Sequence, residues 1–247
     1  MKFRLSFLCS SPVSLPVKYN KILQAAILNW LGDEEYVLFL HDRGYRNRKR
    51  CFKLYTFSEL IGKHTYDTGK QKLVFGGKIQ LYLSFYTDES LGLVLKNIEI
   101  KKPLCLGENL LELYDCEVVQ EIYTDCQVKT VSPVTIHSTF ELADGRKKTY
   151  YYNPYEKDFS EMIRKNLLRK YEAFYSKMPQ NDEFKISPAK GRKIRETSFC
   201  YNRFFIKGWC GNFYLSGSEE LIRMALLAGI GARNGIGLGC VVQKKLT

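Results

Sequence analysis

At the start of the chain Phe3, Leu5 and Phe7 alternate with Lys2, Arg4 and Ser6, the period of two that a strand with one buried face requires. A Pro-bounded turn follows. With Asn20 as N-cap, Ile22, Leu23, Ala26, Ile27, Trp30 and Leu31 are spaced for one apolar face of a helix that Gly32 closes. HDRGYRNRKR, residues 41–50, is polar, basic and glycine-containing and reads as a loop, and CFKLYTF after it as a strand. Beyond a long irregular turn, Ile79, Leu81, Leu83 and Phe85 alternate with Gln80, Tyr82, Ser84 and Tyr86. A short helix from about Asp88 and a strand around Leu110 to Val119 complete the order β-α-β-β-α-β, the ferredoxin-like unit.

The second half repeats the order. A strand near Val128 to Thr139 meets an Asp144-Gly145 hairpin turn, with Lys148 to Tyr152 returning. Asp158 and Glu161 resemble a capping box before the apolar stripe Phe159, Met162, Ile163, Leu167, Tyr171 and Phe174. Further strands fall between Phe184 and Leu215. Ser218 then caps a helix with Glu219 and Glu220 in its first turn, where the helix dipole favours acids. That helix ends at Gly229, and a last strand lies near Cys240 to Gln243. The pattern predicts an α+β protein of two tandem ferredoxin-like (RRM-like, βαββαβ) domains, 1–122 and 123–247.

Composition narrows the partners. Apolar residues make up 45% of the 247, and no stretch approaches the roughly 18 apolar residues of a membrane span, so no membrane partner is expected. The basic, apolar start is broken by Arg4 and Ser6 and reads as a strand rather than a signal peptide, in a cytoplasmic protein. Its 8 cysteines are scattered without a CxxC pair, so neither a zinc site nor a disulfide scaffold is expected, and no metal or cofactor is assigned. The net charge of +12 raises affinity for polyanions, nucleic acid foremost, although an acidic protein would satisfy it too.

The tail GIGARNGIGLGC holds Gly229, Gly231, Gly235, Gly237 and Gly239 around Arg233 and Asn234. A loop so poor in side chains lets backbone approach a ligand, and consecutive N–H groups cradle anions. Dinucleotide binding fails on position: the loop follows a helix, whereas that fingerprint sits between a strand and a helix. Phosphate-backbone contact by Gly229, Gly231, Arg233, Asn234, Gly235 and Gly237 is the favoured reading, a tight connection the plainer one. The basic run Arg43, Arg46, Arg48, Lys49 and Arg50, set against Asp42 alone, suits phosphates as well as a solvated face. Lys190, Arg192, Lys193 and Arg195, and Arg146, Lys147 and Lys148, could extend the track. No RRM stacking motif is present, so base stacking on the sheet is not expected.

The tail resembles the C-terminal glycine-rich motif of the RAMP superfamily, the repeat-associated RNA-binding proteins of CRISPR systems. VSLPVKYNKILQAAILNWL, FLHDRG and FKLYTFSEL resemble, in order and spacing, the start of the CRISPR-associated endoribonucleases that mature crRNA from its precursor. The resemblance spans nearly the whole chain. It implies CRISPR repeat RNA (pre-crRNA) as substrate, held along the interface of two ferredoxin-like domains, with CRISPR effector complex proteins as further partners. It also implies metal-independent cleavage by the RNA's own 2′-OH, leaving a 5′-hydroxyl and a 2′,3′-cyclic phosphate.

In this resemblance His41 takes the place of the family's catalytic histidine and Lys53 that of the lysine that steadies the scissile phosphate. On residues alone a lone histidine is more often structural, and a strand lysine commonly faces solvent. The chain departs from the family pattern at Leu28, where some members carry a tyrosine able to act as base; either Tyr19, Tyr36 or Tyr45 does that job or His41 works largely by itself. His64 and His137 match no family motif and are assigned no catalytic role. The rival readings are a non-catalytic RAMP subunit of an effector complex, and a basic structural protein unrelated to CRISPR.

Overall fold

The computed structural model describes residues 1–191, 193–201 and 204–244. The first half contains β1 (Lys2–Pro16), α1 (Asn20–Leu31), α2 (Glu34–Leu38), β2 (Tyr45–Asn47), β3 (Arg50–Phe52), β4 (Tyr55–Phe57), β5 (Ile61–Asp67), β6 (Lys72–Phe85), α3 (Glu89–Glu99), β7 (Leu104–Leu106) and β8 (Asn109–Val119). β1 lies between β6 and β8, antiparallel to both, with β4 and β5 on the far edge of β6 and β7 beyond β8. Phe3, Leu5 and Phe7 stand opposite Leu83, Leu81 and Ile79, so the two alternating runs meet in register on one buried face. Leu23, Ala26, Ile27, Trp30 and Leu31 of α1 cover that face, and Gly32 ends the helix in the left-handed conformation.

The second half contains β9 (Cys126–Thr130), β10 (His137–Glu141), β11 (Lys147–Tyr151), α4 (Lys157–Tyr175), β12 (Phe184–Pro188), β13 (Arg195–Tyr201), β14 (Phe204–Cys210), β15 (Asn212–Gly217), α5 (Glu219–Ala228) and β16 (Val241–Gln243). Its sheet runs β12–β15–β9–β16, and the hairpins β10–β11 and β13–β14 stand off it. In both halves the first strand is central, β1 between β6 and β8 and β9 between β15 and β16. The two halves are tandem ferredoxin-like folds.

Several local expectations are corrected. Asn20 is the first helical residue, and its cap, Tyr19, makes no side-chain capping bond. The α4 cap is Glu156, which also makes no side-chain capping bond, while Glu161 pairs with Arg164 at 2.9 Å instead of reaching back. CFKLYTF is two short strands, because Leu54 takes φ +48° and buries its side chain in the core of the second half. The irregular turn before β6 hides β5, whose side chains are nearly all exposed or half-buried, so no apolar alternation announced it. The strand placed over Val128 to Thr139 breaks into β9 and β10; Pro133 lies between them and cannot donate to a ladder.

The halves are tied by buried polar bonds as well as packing. Lys2 pairs with Glu121, and its Nζ also donates to the Val241 carbonyl at 2.6 Å, linking the first strand to the last. Ser84 Oγ donates to the Leu227 carbonyl of α5 at 2.8 Å. A buried ion pair adds little net stability, yet removing one partner costs about 3–5 kcal/mol.

Candidate active site

The segment expected to be a loop is a built device. Asp33 caps α2 by accepting the Tyr36 N–H at 2.7 Å, and Glu34 and Glu35 fill its first turn. The helix then widens into a π turn over Phe39–Arg43, closed where the Gly44 N–H donates to the Phe39 carbonyl at 2.7 Å. Such turns put side chains where a regular helix would not. Gly44 has φ +61°, and a Cβ there would meet the Phe52 carbonyl at 2.5 Å. Glycine is what lets the π turn fold back onto the β2–β3 hairpin, which sets His41 on the same cavity as Lys53.

His41 Nδ1 lies 2.6 Å from Asp42 Oδ1. A carboxylate only accepts, so the proton sits on Nδ1, and Nε2 is left to work. Lys53 Nζ is buried without a hydrogen-bond partner. Burial lowers its pKa, against the opposing pull of Cys51 and the Asp42 carboxylate. With the Cys51 thiol as its side-chain neighbour, this buried ammonium keeps N–H donors free for an anion.

Both residues line a cavity of about 630 Å³ between the two halves. Its remaining wall includes Arg50, Phe52, His137, Asn166, Tyr201 and the chain from Gly231 to Ile236. The glycine-rich segment is clamped from both sides. Tyr55 Oη and Gln24 Nε2 donate to the Gly235 carbonyl at 3.0 and 2.8 Å, and Thr56 Oγ1 to the Leu238 carbonyl at 2.9 Å. From α4, the buried Lys170 donates to the carbonyls of Gly229 and Gly231 at 2.6 and 3.0 Å; burial lowers its pKa to about 7. Gly231 passes so close to the segment between β9 and β10 that a Cβ would lie 2.2 Å from the Thr135 carbonyl.

Of the expected phosphate-binding residues, Arg50, Gly231, Arg233, Asn234 and Gly235 reach the cavity. Gly229 and Gly237 are buried outside its lining, and the Asn234 amide is spent holding the Ile230 and Leu238 carbonyls. Arg46, Arg48 and Lys49 are exposed on the hairpin, while Arg43 lines a separate groove with Tyr36 and Tyr45. Lys190 and Lys193 are exposed between β12 and β13, apart from the cavity lining, and Arg192 falls outside the described residues.

Leu28 is buried in the first core. Tyr19, Tyr36 and Tyr45 do not line the cavity, and burial raises the pKa of all three phenols. The tyrosine that does line it is Tyr201, whose hydroxyl donates to Gln24 Oε1 at 2.7 Å.

Several cavity residues escaped the sequence reading. Asn166 and Lys170 continue the spacing of Ile163, Leu167 and Tyr171, so a helical projection marks them as polar residues on a buried face. Arg169 joins the basic hairpin: burial lowers its pKa, and the nearby Arg50 and Arg48 lower it further. His137 and Tyr201 gave no comparable signal.

The family model for the CRISPR-associated protein Cas6, C-terminal, matches residues 117–242. The CRISPR-associated endoribonuclease Cas6 1 of Methanocaldococcus jannaschii is 26% identical over 98% of this chain and 92% of its own length. The CRISPR-associated endoribonuclease Cas6 of Pyrococcus furiosus is 22% identical over 92% of this chain and 83% of its own. Among solved structures, one from the characterisation of a Cas6-related gene of Pyrococcus furiosus superposes with a TM-score of 0.83 at 21% identity, covering 100% of this chain and 99% of that one.

Proposed function

This chain belongs to the CRISPR-associated Cas6 family, and from that premise we propose that it is a metal-independent endoribonuclease that binds CRISPR repeat RNA and cleaves pre-crRNA. The observation that carries the reading is the meeting of His41, Lys53 and the glycine-rich segment on one cavity between the two ferredoxin-like domains, here divided near residue 122. The relatives named as Cas6 endoribonucleases support it.

RNA carries its own nucleophile. The 2′-oxygen bonds to phosphorus, the bond from phosphorus to the 5′-oxygen breaks, the 2′-OH gives up its proton and the 5′-oxygen gains one. The products are a 2′,3′-cyclic phosphate and a 5′-hydroxyl. His41, oriented by Asp42, handles a proton through Nε2, a role worth about 10²–10⁴-fold in rate. Lys53 places its unpaired ammonium against the charge growing on the phosphorane, and being already desolvated it needs little reorganisation. Arg46, Arg48, Lys49, Arg50 and Arg233 hold flanking phosphates, with Lys190 and Lys193 as a more distant track and Arg192 between them in sequence.

The test is cleavage of a repeat RNA in excess EDTA, beside His41→Ala and a substrate with a 2′-deoxy sugar at the cut. Cutting by the wild type, lost with either change, is the expected result. Tight binding without cutting would make the chain a non-catalytic RNA-binding subunit, and undiminished cutting by His41→Ala would move the active site elsewhere.

A further inference from the structure

Seven buried side-chain polar atoms lack a hydrogen-bond partner among the described residues, and three of them, Lys53 Nζ, His137 Nδ1 and Asn166 Oδ1, belong to residues lining the cavity that holds His41. Lys53 has a role in the proposed cleavage. The other two come from the C-terminal half, and the cleavage chemistry uses neither. Native proteins pair buried polar atoms almost without exception, so two orphans on residues that line one cavity point to a bound group or ordered water there.

The polarity of the site says which kind. Asn166 is 4% exposed, so its oxygen sits at the deep end, whereas Arg50 and Arg233 are exposed at the mouth. Asn166 Oδ1 is an acceptor, and a phosphate, itself all acceptors at its oxygens, leaves it unpaired. A nucleobase edge carries N–H donors and ring acceptors side by side and satisfies an amide. Burial lowers the His137 pKa, and Arg233 and Arg50 lower it further, so the ring is neutral and its Nδ1 offers a single donor or acceptor. Phe52 and Tyr201 add aromatic surface to the same lining, of the kind on which unstacked RNA bases rest. The cavity's 630 Å³ falls within the range of sites that enclose one small ligand.

We propose that this cavity is a base-reading pocket: one unstacked nucleobase of the bound RNA enters it and pairs its edge with Asn166 and His137, its phosphate resting against Arg50 and Arg233. The proposal rests on the endoribonuclease reading and adds a determinant of which sequence is bound, separate from the groups that cut.

The test uses the full chain carrying His41→Ala, so that RNA stays intact, and repeat RNAs with each position changed in turn to every other base. The expected profile shows one position where the wrong base weakens binding about 10-fold or more. Asn166→Leu flattens that position and leaves the others unchanged. Asn166→Asp keeps the acceptor and shifts the preference there toward bases presenting an N–H donor; it decides the matter if the leucine variant does not fold. An unchanged profile in the folded variants overturns the pocket. Wild-type protein that cuts the repeat while the Asn166 variants read every position as before sinks the pocket alone, and wild-type protein that neither binds nor cuts sinks the endoribonuclease reading with it.

Discussion

The two halves share one topology and differ in where they depart from it. In the first half the departure lies between α1 and β4, where α2, the π turn and the β2–β3 hairpin carry His41 and the basic run, and the break at Leu54 lets Lys53 face the cavity. In the second half the sheet and helices stay regular. Its contribution is a glycine-rich segment whose carbonyls are held by Lys170, Gln24, Tyr55 and Thr56. One half bears the reactive groups on irregular backbone, and the other supplies a fixed wall. A reactive side chain needs an unusual direction, which regular elements do not provide, while a wall needs only to stay still.

If that division is right, a backbone change in each half should fail differently. Gly44→Val forces a side chain against the Phe52 carbonyl and shifts the π turn. Cleavage is expected to fall about 10²-fold, because small misplacements of reacting groups cost that much, beside a stability loss of about 1–3 kcal/mol from the strained backbone. Gly231→Ala, pressed against the Thr135 carbonyl, should cost about 1–3 kcal/mol of stability in denaturant titration. Cleavage lost as far in folded Gly231→Ala as in folded Gly44→Val would break the comparison.

Lys170 sharpens it. Its pKa falls from the ordinary 10.5 to about 7 in the folded protein. Between those values the unfolded chain binds the extra proton, so the group's contribution to stability is full above 10.5 and lost as pH falls toward 7. The neutral amine still has two N–H donors for its two carbonyls. Lys170→Met removes the group, and the wild-type advantage in melting temperature should grow as pH is raised from about 7 to 9. The smallest effect concerns the basic hairpin and α4. Arg50→Gln and Arg169→Gln should each reduce the slope of log affinity against log salt by about 0.7, with little change in cleavage of saturating RNA.

Periodicity in the sequence determined the order of elements in both halves, the buried faces of β1, β6, α1 and α4, and the caps at Gly32 and Ser218. These are local choices, decided by hydrophobic spacing within a strand or helix. Tertiary structure alone decided that Leu54 leaves its own half to pack in the other, breaking the strand that CFKLYTF promised. It also decided that Asn166, Lys170, His137 and Tyr201 face the same space as His41. Those positions are far apart in the chain, and no short-range pattern records which of them share a cavity. The physical reason is that a site between two domains exists only where their surfaces meet, and the direction each side chain takes there is set by packing across the interface rather than by its neighbours in sequence.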